Sequence, residues 1–507
     1  MTATPTAPQE VELKFEVEPE CLANLLSHPL LRPAAGYRRT NHTLVSTYFD
    51  TPGFDLREHG LSLRIRRDGT RRVQTLKATS SGAGAFARAE WEHVVTLDRP
   101  DLSRFGDTPL ETLSDLFAVI GARFSVSVTR TAIELAFGES LIEVALDRGE
   151  VAAGGATVFA EVELELKRGE LRDAFALARE LIQDAPLRLS FRTKAERGYA
   201  AVVPREIHRI KAEPVDLRRG LSSARAFRII GHGCVKHLMA NEVLFREAPH
   251  PDAVHQMRVA LRRLRAAISL FKEMVDDDQR VSISRELKWM AGELGKARDL
   301  DVYIAKVLEP AQASHGHDAG FKDLVAAYRH RRDRAYQDVE QTIRSTRFLG
   351  GALAAAAWIE TGEWLSDDRK SARQRRREPV EDLAEAELAR RWKKIRKRGK
   401  HLKGLAPEER HQVRIDIKKL RYASEFFTGL YRRHGARKKQ KHAVAVLEHL
   451  QERLGDLNDI AVGAGMDGAP AGQAVHQEQL ARVPGLLDDA RRHYRTFSEM
   501  EPFWDRG

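Results

Sequence analysis

Between Val11 and Leu166 apolar and charged residues alternate in short runs: VELKFEV at 11–17, LSLRIRR at 61–67, VQTLKA at 73–78, EWEHVVTL at 90–97, SLIEVALD at 140–147 and FAEVELEL at 159–166. A period of two sends successive side chains to opposite faces, so each run is an expected strand with one apolar and one charged face. Turn residues separate them at Asp50-Thr51-Pro52-Gly53, Arg67-Asp68-Gly69-Thr70 and Ala153-Gly154-Gly155-Ala156, and Asp173 to Gln183 reads as a helix. From about Leu221 the apolar spacing becomes three and four, the mark of helices. The expected class is α+β: a strand-rich domain at 1–205, a linker at 206–220 and a helical domain at 221–497. Pro204 to Gly220, with two prolines and many charges, carries the linker, and Gly463–Gly472 and Ser366–Glu378 read as mobile loops.

The helical half repeats itself. Val254-His-Gln-Met-Arg-Val-Ala-Leu-Arg-Arg-Leu-Arg up to Phe271 matches Arg410-His-Gln-Val-Arg-Ile-Asp-Ile-Lys-Lys-Leu-Arg up to Phe427 at an offset of 156 residues. Leu294-Gly295-Lys296-Ala297-Arg298-Asp299 matches Leu454-Gly455-Asp456-Leu457-Asn458-Asp459 at an offset of 160. Two matches in the same order predict a duplicated helical bundle, with copies at about 221–340 and 380–497.

The chain has 507 residues, and its net charge of +11 is unevenly spread. Residues 1–205 carry 26 Lys and Arg against 29 Asp and Glu, whereas the remainder carries 58 against 44 and 15 of the 19 histidines. A basic second half makes a polyanion the expected partner class: nucleic acid, anionic membrane or phosphate polymer. The longest apolar stretch, Leu349 to Ile359, is short of the ~20 residues that cross a bilayer, so no membrane association is expected. The start MTATPTAPQE lacks the order of a secretory signal, and two distant cysteines, Cys21 and Cys234, form no disulfide framework; both features predict a cytoplasmic chain.

Charged faces recur from strand to strand. Glu10, Glu12 and Lys14 share a face opposite Val11, Leu13 and Phe15, and the same segregation appears in Leu63-Arg64-Ile65-Arg66, Glu90-Trp91-Glu92, Ile142 to Asp147 and Glu161 to Glu165. Such faces are commonly the solvated outside of a sheet. Here acidic and basic strands occur together, and a closed antiparallel barrel would turn them inward around a charged ligand. Carboxylates suit Mg²⁺ or Mn²⁺, and alternate arginines suit phosphates, a combination fit for hydrolysis of a metal-complexed polyphosphate.

In these motifs, roughly residues 8–203 resemble a CYTH domain of the triphosphate tunnel metalloenzyme superfamily: E-x-E-x-K at Glu10, Glu12 and Lys14, then LRIR, TLK, ALD and E-x-E-x-E in order. The resemblance implies an antiparallel β-barrel tunnel with flanking helices. It implies metal ligation by Glu10, Glu12, Asp147, Glu161 and Glu163, and phosphate binding by Lys14, Arg64, Arg66, Lys77, Arg130 and Lys194. Glu10, Glu12, Lys14, Arg64 and Arg66 are its expected catalytic set. No Ser/His/Asp or Cys/His nucleophile signature is present, in keeping with attack by water.

In the helical half His255, Arg258, Arg262 and Arg265 fall on one helical stripe, and His411, Arg414, Lys418 and Arg421 repeat it. An ordinary amphipathic helix with solvated or paired arginines gives one such stripe; duplication argues for a shared ligand. The repeated H-x-x-R-x-x-x-[RK]-[RK]-L-R pattern resembles the CHAD domain, the conserved-histidine α-helical domain, over about 221–497. That resemblance implies inorganic polyphosphate binding by these eight residues, with charge-assisted hydrogen bonds from a row of cations. Metal ligation by the histidines is the sharper alternative, though no pair has close helical spacing. Arg390–Lys403 and Arg432–His442 are further basic runs, and no aromatic-interleaved motif favours nucleic acid.

The whole chain thus resembles bacterial CYTH-CHAD inorganic triphosphatases. The expected function is metal-dependent hydrolysis of inorganic triphosphate, or a related triphosphate, beside a polyphosphate-binding domain, with polyphosphate granules as a candidate location. A non-catalytic polyphosphate-binding protein and a class IV adenylate cyclase-like enzyme are the competing readings, and the oligomeric state stays open.

Overall fold

The period-two runs do become strands. In the computed structural model, which describes residues 9–32, 38–78, 86–153, 155–203, 207–463 and 470–504, nine strands form one sheet. They are β1 (Gln9–Val17), β2 (Arg39–Asp50), β3 (Leu61–Asp68), β4 (Arg71–Ala78), β5 (Ala87–Val94), β6 (Gly121–Phe137), β7 (Ser140–Ala152), β8 (Ala156–Arg168) and β9 (Arg188–Ser190). The order is β5-β4-β3-β2-β6-β7-β8-β1-β9, antiparallel throughout. β5, at one end of that order, also pairs with the first residues of β1, Gln9–Val11 opposite Ala87–Ala89.

β2 and β6 are not among the strands expected from alternation. β2 begins as Arg-Thr-Asn-His-Thr, with no apolar residue to mark a period, and its deep burial is confined to its second half. Pairing with β3 and β6 makes it a strand. The apolar face of β1 is fully buried at Leu13 and Phe15. Gly149 on β7 is required by close approach: a Cβ there would lie 2.1 Å from the Phe159 ring.

Two of the helices in this part bear on the site, α1 (Leu171–Asp184), which covers the expected Asp173–Gln183, and α2 (Lys194–Val202). α1 packs on β1, β6, β7 and β8 through a face that buries Phe175, Leu177, Ala178, Leu181 and Ile182. α2 starts at a capping box in which Thr193 and Glu196 exchange side-chain and backbone hydrogen bonds.

The second half is helical, as its periodicity predicts. α3 (Ser223–Glu247), α4 (Pro251–Leu270) and α5 (Asp278–Tyr303) pack in sequence, and α4 opens on Pro251, whose missing N–H costs nothing in a first turn. Later come α6 (Thr346–Thr361), α7 (Lys370–Arg377), α8 (Pro407–Phe426) and α9 (His434–Gly463). The duplication is visible in side-chain packing. α4 packs on α5 and α8 on α9; a Cβ on Gly295 would meet the Arg258 guanidinium at 2.3 Å, and one on Gly455 would meet that of Arg414 at 3.5 Å.

Three expectations need amendment. Ser366–Glu378 is not a bare loop, because α7 occupies Lys370–Arg377, tethered where Arg376 donates to the Trp364 and Asp367 carbonyls at 2.8 and 2.6 Å. Of Gly463–Gly472, the stretch 464–469 lies outside the described residues, while Pro470–Ala481 is a helix. Thirdly, the chain divides into one compact unit of Met1–Ile207 with Ile343–Thr361 and another of His208–Thr342 with Gly362–Gly507. α6, between the two repeat copies in sequence, therefore belongs with the sheet, where it packs on α1 and β9. No helix among the described residues is long and apolar enough to cross a membrane.

Candidate active site and anion-binding surface

Register places the charged side chains of the first unit side by side. Lys14 on β1 faces Glu163 on β8, Glu16 faces Glu161, Asp147 on β7 faces Glu161, and Arg130 on β6 faces Asp147. These are not solvated: Asp147 and Glu161 have no exposed surface, Glu163 retains 7% and Lys14 9%. Oxygens of Asp147, Glu161 and Glu163 all lie within 4.8 Å of one another.

Cations crowd this triad. Lys194, the first residue of α2, has its Nζ 2.9 Å from both Asp147 Oδ2 and Glu163 Oε1 and donates to Glu161 as well. Arg130 donates through Nε and a terminal nitrogen to the two Asp147 oxygens, each at 2.7 Å, and also to Glu163. Lys14 Nζ lies 2.8 Å from Glu163 and 3.5 Å from Glu12. Burial disfavours the Lys14 ammonium, but Glu12, Glu163 and Glu161 outweigh burial and raise its pKa above the usual lysine value. The same balance raises Lys194, through Asp147, Glu161 and Glu163, and Arg130, through Glu163 and Asp147. Burial alone would push the Glu163 carboxyl up; Lys14, Lys194 and Arg130 instead hold it well below the carboxylate range.

The chemistry of the triad suits a hard divalent cation, since all its donors are carboxylate oxygens. One buried oxygen, Glu161 Oε2, has no hydrogen-bond partner, a lone pair that a cation would satisfy.

Glu10 and Glu12 stand apart from the triad. Glu10 lies 2.9 Å from Lys77 Nζ, which also contacts Glu90 at 3.0 Å, and Glu12 neighbours Lys14. Arg64 and Arg66 on β3 face acids of β5, Glu90 at 4.0 Å and Glu92 at 3.5 Å. Arg64 lowers the proton affinity of Arg66, and burial adds to this, against the opposing pull of Glu92 and Glu90. Of the expected site residues, Asp147, Glu161, Glu163, Lys14, Arg130 and Lys194 are thus brought together; Glu10, Lys77, Arg64 and Arg66 form a neighbouring acid-base set with Glu90 and Glu92.

Sequence reasoning left out Glu16 and Arg197. Arg197 lies 2.7 Å from Glu16 and 3.6 Å from Glu161, with its guanidinium over the Phe159 ring at 4.8 Å. Their signal was present, because Glu16 continues the period of Glu10, Glu12 and Lys14, and Arg197 is one turn beyond Lys194. Glu165 pairs with Lys167 at 2.7 Å.

In the second unit α4 packs on α8, which brings the two cationic stripes together. Arg262, Arg414 and Lys418 make no hydrogen bond or ion pair among the described residues, and the Nε atoms of Arg262 and Arg414 are buried without a partner. Burial, with Arg414 and Arg262 beside it, pulls Lys418 down to about 7. Burial, then Arg298 and Arg262, pulls His255 down to about 4. Arg258 is tied down, donating to the Ala291 carbonyl at 2.7 Å and lying 3.5 Å from Asp299. His411 meets Asn458 at 2.5 Å, Arg421 donates to Gln451 at 3.1 Å and pairs with Glu425, and Arg265 is exposed. The one metal-type cluster found among the described residues contains no histidine. Within the basic run 390–403, Arg390 and Arg391 pair with Glu387, and Lys394 and Arg398 with Asp416.

Comparison with known proteins gives matches in both halves of the chain. Residues 8–199 match the CYTH domain model and residues 229–466 the CHAD domain model. An inorganic triphosphatase of Haemophilus influenzae is 30% identical over 195 residues, 38% of this chain and 54% of that protein. An uncharacterized protein of Mycobacterium tuberculosis is 27% identical over 323 residues, 58% of each chain. The match thus spans little more than half the length of either relative. The crystal structure of the CHAD domain from the plant Ricinus communis is 27% identical, with a TM-score of 0.49, covering 57% of this chain and 96% of its own. The chain joins a CYTH domain to a CHAD domain.

Proposed function

We propose that the first unit hydrolyses inorganic triphosphate, or a closely related triphosphate, with Mg²⁺ or Mn²⁺, and that the second binds inorganic polyphosphate. The observation that carries the first part is the convergence of three buried carboxylates with Lys14, Arg130 and Lys194. The β1–β5 pairing supports reading the sheet as a tunnel wall, with the charged faces inside.

In this reading Asp147, Glu161 and Glu163 hold the metal, with Glu10 and Glu12 at the flank. A divalent cation held there would supply neutralisation of phosphate charge and polarisation of a phosphoryl oxygen. The chain's own residues do the rest. Lys14, Arg130 and Lys194 grip one end of the phosphate chain, while Arg64, Arg66 and Lys77 grip the other and hold it extended. Glu90 and Glu92, at 4.0 and 3.5 Å, would restrain the arginines before substrate arrives. Such contacts, set before the reaction, would stabilise the charge that builds up on transfer to water.

The test is a substrate panel with the full chain: inorganic triphosphate, pyrophosphate, thiamine triphosphate, ATP and longer polyphosphate, each with Mg²⁺ and with Mn²⁺. Release of phosphate from triphosphate is the expected result. Cyclic AMP and pyrophosphate from ATP would select the cyclase reading, and tight binding with no release would select a pure binding protein.

For the second unit the supporting feature is Arg262, Arg414 and Lys418, cations on the two repeat helices that make no ion pair among the described residues, although Asp459 acts on Arg414 and Lys418 from further off. A phosphate chain laid across them restores the Lys418 proton affinity, so binding at pH 8 takes up a proton. Affinity is expected to fall as pH rises from 7 to 9, on top of a steep salt dependence. The free protein shows the opposite sign. Because the lysine binds its proton more weakly folded than unfolded, its contribution makes the fold more stable as pH climbs from 7 toward 10. Calorimetry in buffers of different ionisation enthalpy reads the uptake, and equal heats would count against it.

A further inference from the structure

Lys194 has so far been counted among the phosphate ligands. We propose that its ammonium and a divalent cation compete for the same three carboxylates, so that cation binding sends the Lys194 side chain off the triad and toward the phosphate. This rests on the metal-site reading above and adds a coupling to it.

The contacts single out this residue. Arg130 touches Asp147 and Glu163, Lys14 touches Glu163, and Arg197 approaches Glu161. Among the described residues only Lys194 touches all three, so its Nζ sits at the point the triad's oxygens share. A metal bound to those oxygens, at roughly 2 Å from each, would lie almost on top of it.

Charge gives the same answer. Three carboxylates against Lys14, Arg130 and Lys194 sum to zero, if each is ionised. A divalent ion added to that set leaves two uncompensated positive charges in a buried place, which costs several kcal/mol. Release of Lys194 removes one of them, and the freed ammonium then has an incoming phosphate to meet. Metal and triphosphate would in consequence help each other bind.

The movement is confined to a flexible side chain. α2 itself is fixed by its capping box and by Tyr199, whose hydroxyl donates at 2.6 Å to the fully buried Asp50 carboxylate. Asp50 also accepts from the backbone N–H groups of Thr51, Leu56 and Arg57. Gly198 lets the helix lie against Phe124, where a Cβ would come within 1.8 Å of the ring. The four-carbon lysine stem can swing while its backbone stays in place.

The experiment measures Mn²⁺ binding to the full chain by electron paramagnetic resonance without triphosphate. Lys194→Met is expected to bind Mn²⁺ about 10-fold or more tightly than the natural chain, because the competing charge is gone. Lys194→Arg, which keeps the charge, should bind no more tightly. Mn²⁺ affinity that is equal or lower in a folded Lys194→Met chain overturns the proposal. Should that variant fold poorly, acetylation of lysines in the unaltered protein, mapped by mass spectrometry, decides. Mg²⁺ is expected to increase labelling at Lys194, and no increase overturns the competition. Absence of Mn²⁺ binding in both chains removes the metal site as well, whereas a lack of triphosphate turnover with the expected Mn²⁺ difference removes only the hydrolase reading.

Discussion

Phosphate release from triphosphate is expected to fall by about 10²- to 10³-fold in Glu163→Gln, the range seen when one preorganised electrostatic contact is lost. Among the described residues, Glu163 is the one carboxylate that meets Lys14, Arg130 and Lys194 together. Gln keeps the shape and removes the charge, so buried Lys14 and the largely covered Arg130 and Lys194 are left with two carboxylates. Stability should drop too, by about 3 kcal/mol, as when one partner of a buried pair is removed. Its pH dependence is set by the depressed carboxyl: the contribution of Glu163 is present above the ordinary glutamate range and is lost only as pH falls well below it. Steady-state kinetics and thermal melts together check this, and near-natural turnover in a folded Glu163→Gln chain would sink the assignment.

Excision of residues 1–207 is expected to give an unstable, aggregation-prone product, and joining 343–361 back to it through a short linker should restore a cooperative fold. α6 buries Phe348, Leu349, Leu353, Trp358 and Ile359 and packs on α1 and β9. Each such side chain is worth about 1.5–3 kcal/mol on burial, so even part of this face approaches the ~5–15 kcal/mol that holds a whole domain together. Circular dichroism and denaturant titration of the two products give the comparison. A stable, cooperatively folding 1–207 would show that α6 is dispensable. The result also bears on activity, because β9 pairs with β1 at Lys14 and Glu16, beside the carboxylates.

Much of the site was legible because alternation is a local property. In Glu10-Val-Glu-Leu-Lys and Glu161-Val-Glu-Leu-Glu, a strand geometry puts the charges on one face whatever surrounds them. The duplicated stripes were legible for the same reason, helical spacing being fixed at 3.6 residues per turn. β2 was harder, since Thr, Asn and Ser carry no period. The loop expectation at Ser366–Glu378 failed because charge and polarity resemble those of a loop, while Arg and Gln are good helix formers once Arg376 has carbonyls to bind.

The sequence by itself determined which residues share a face, the order of a strand-rich and a helical half, and the presence of two copies in the latter. Only the tertiary structure decided that Asp147, Glu161 and Glu163 separate from Glu10 and Glu12, that Lys194 stands among all three, and that α6 joins the sheet. It also decided that Arg262 comes within electrostatic range of Arg414 and Lys418. The physical reason is range. Periodicity acts over a few residues, whereas these encounters depend on register between distant strands and on which apolar face finds which partner, and no local pattern encodes either.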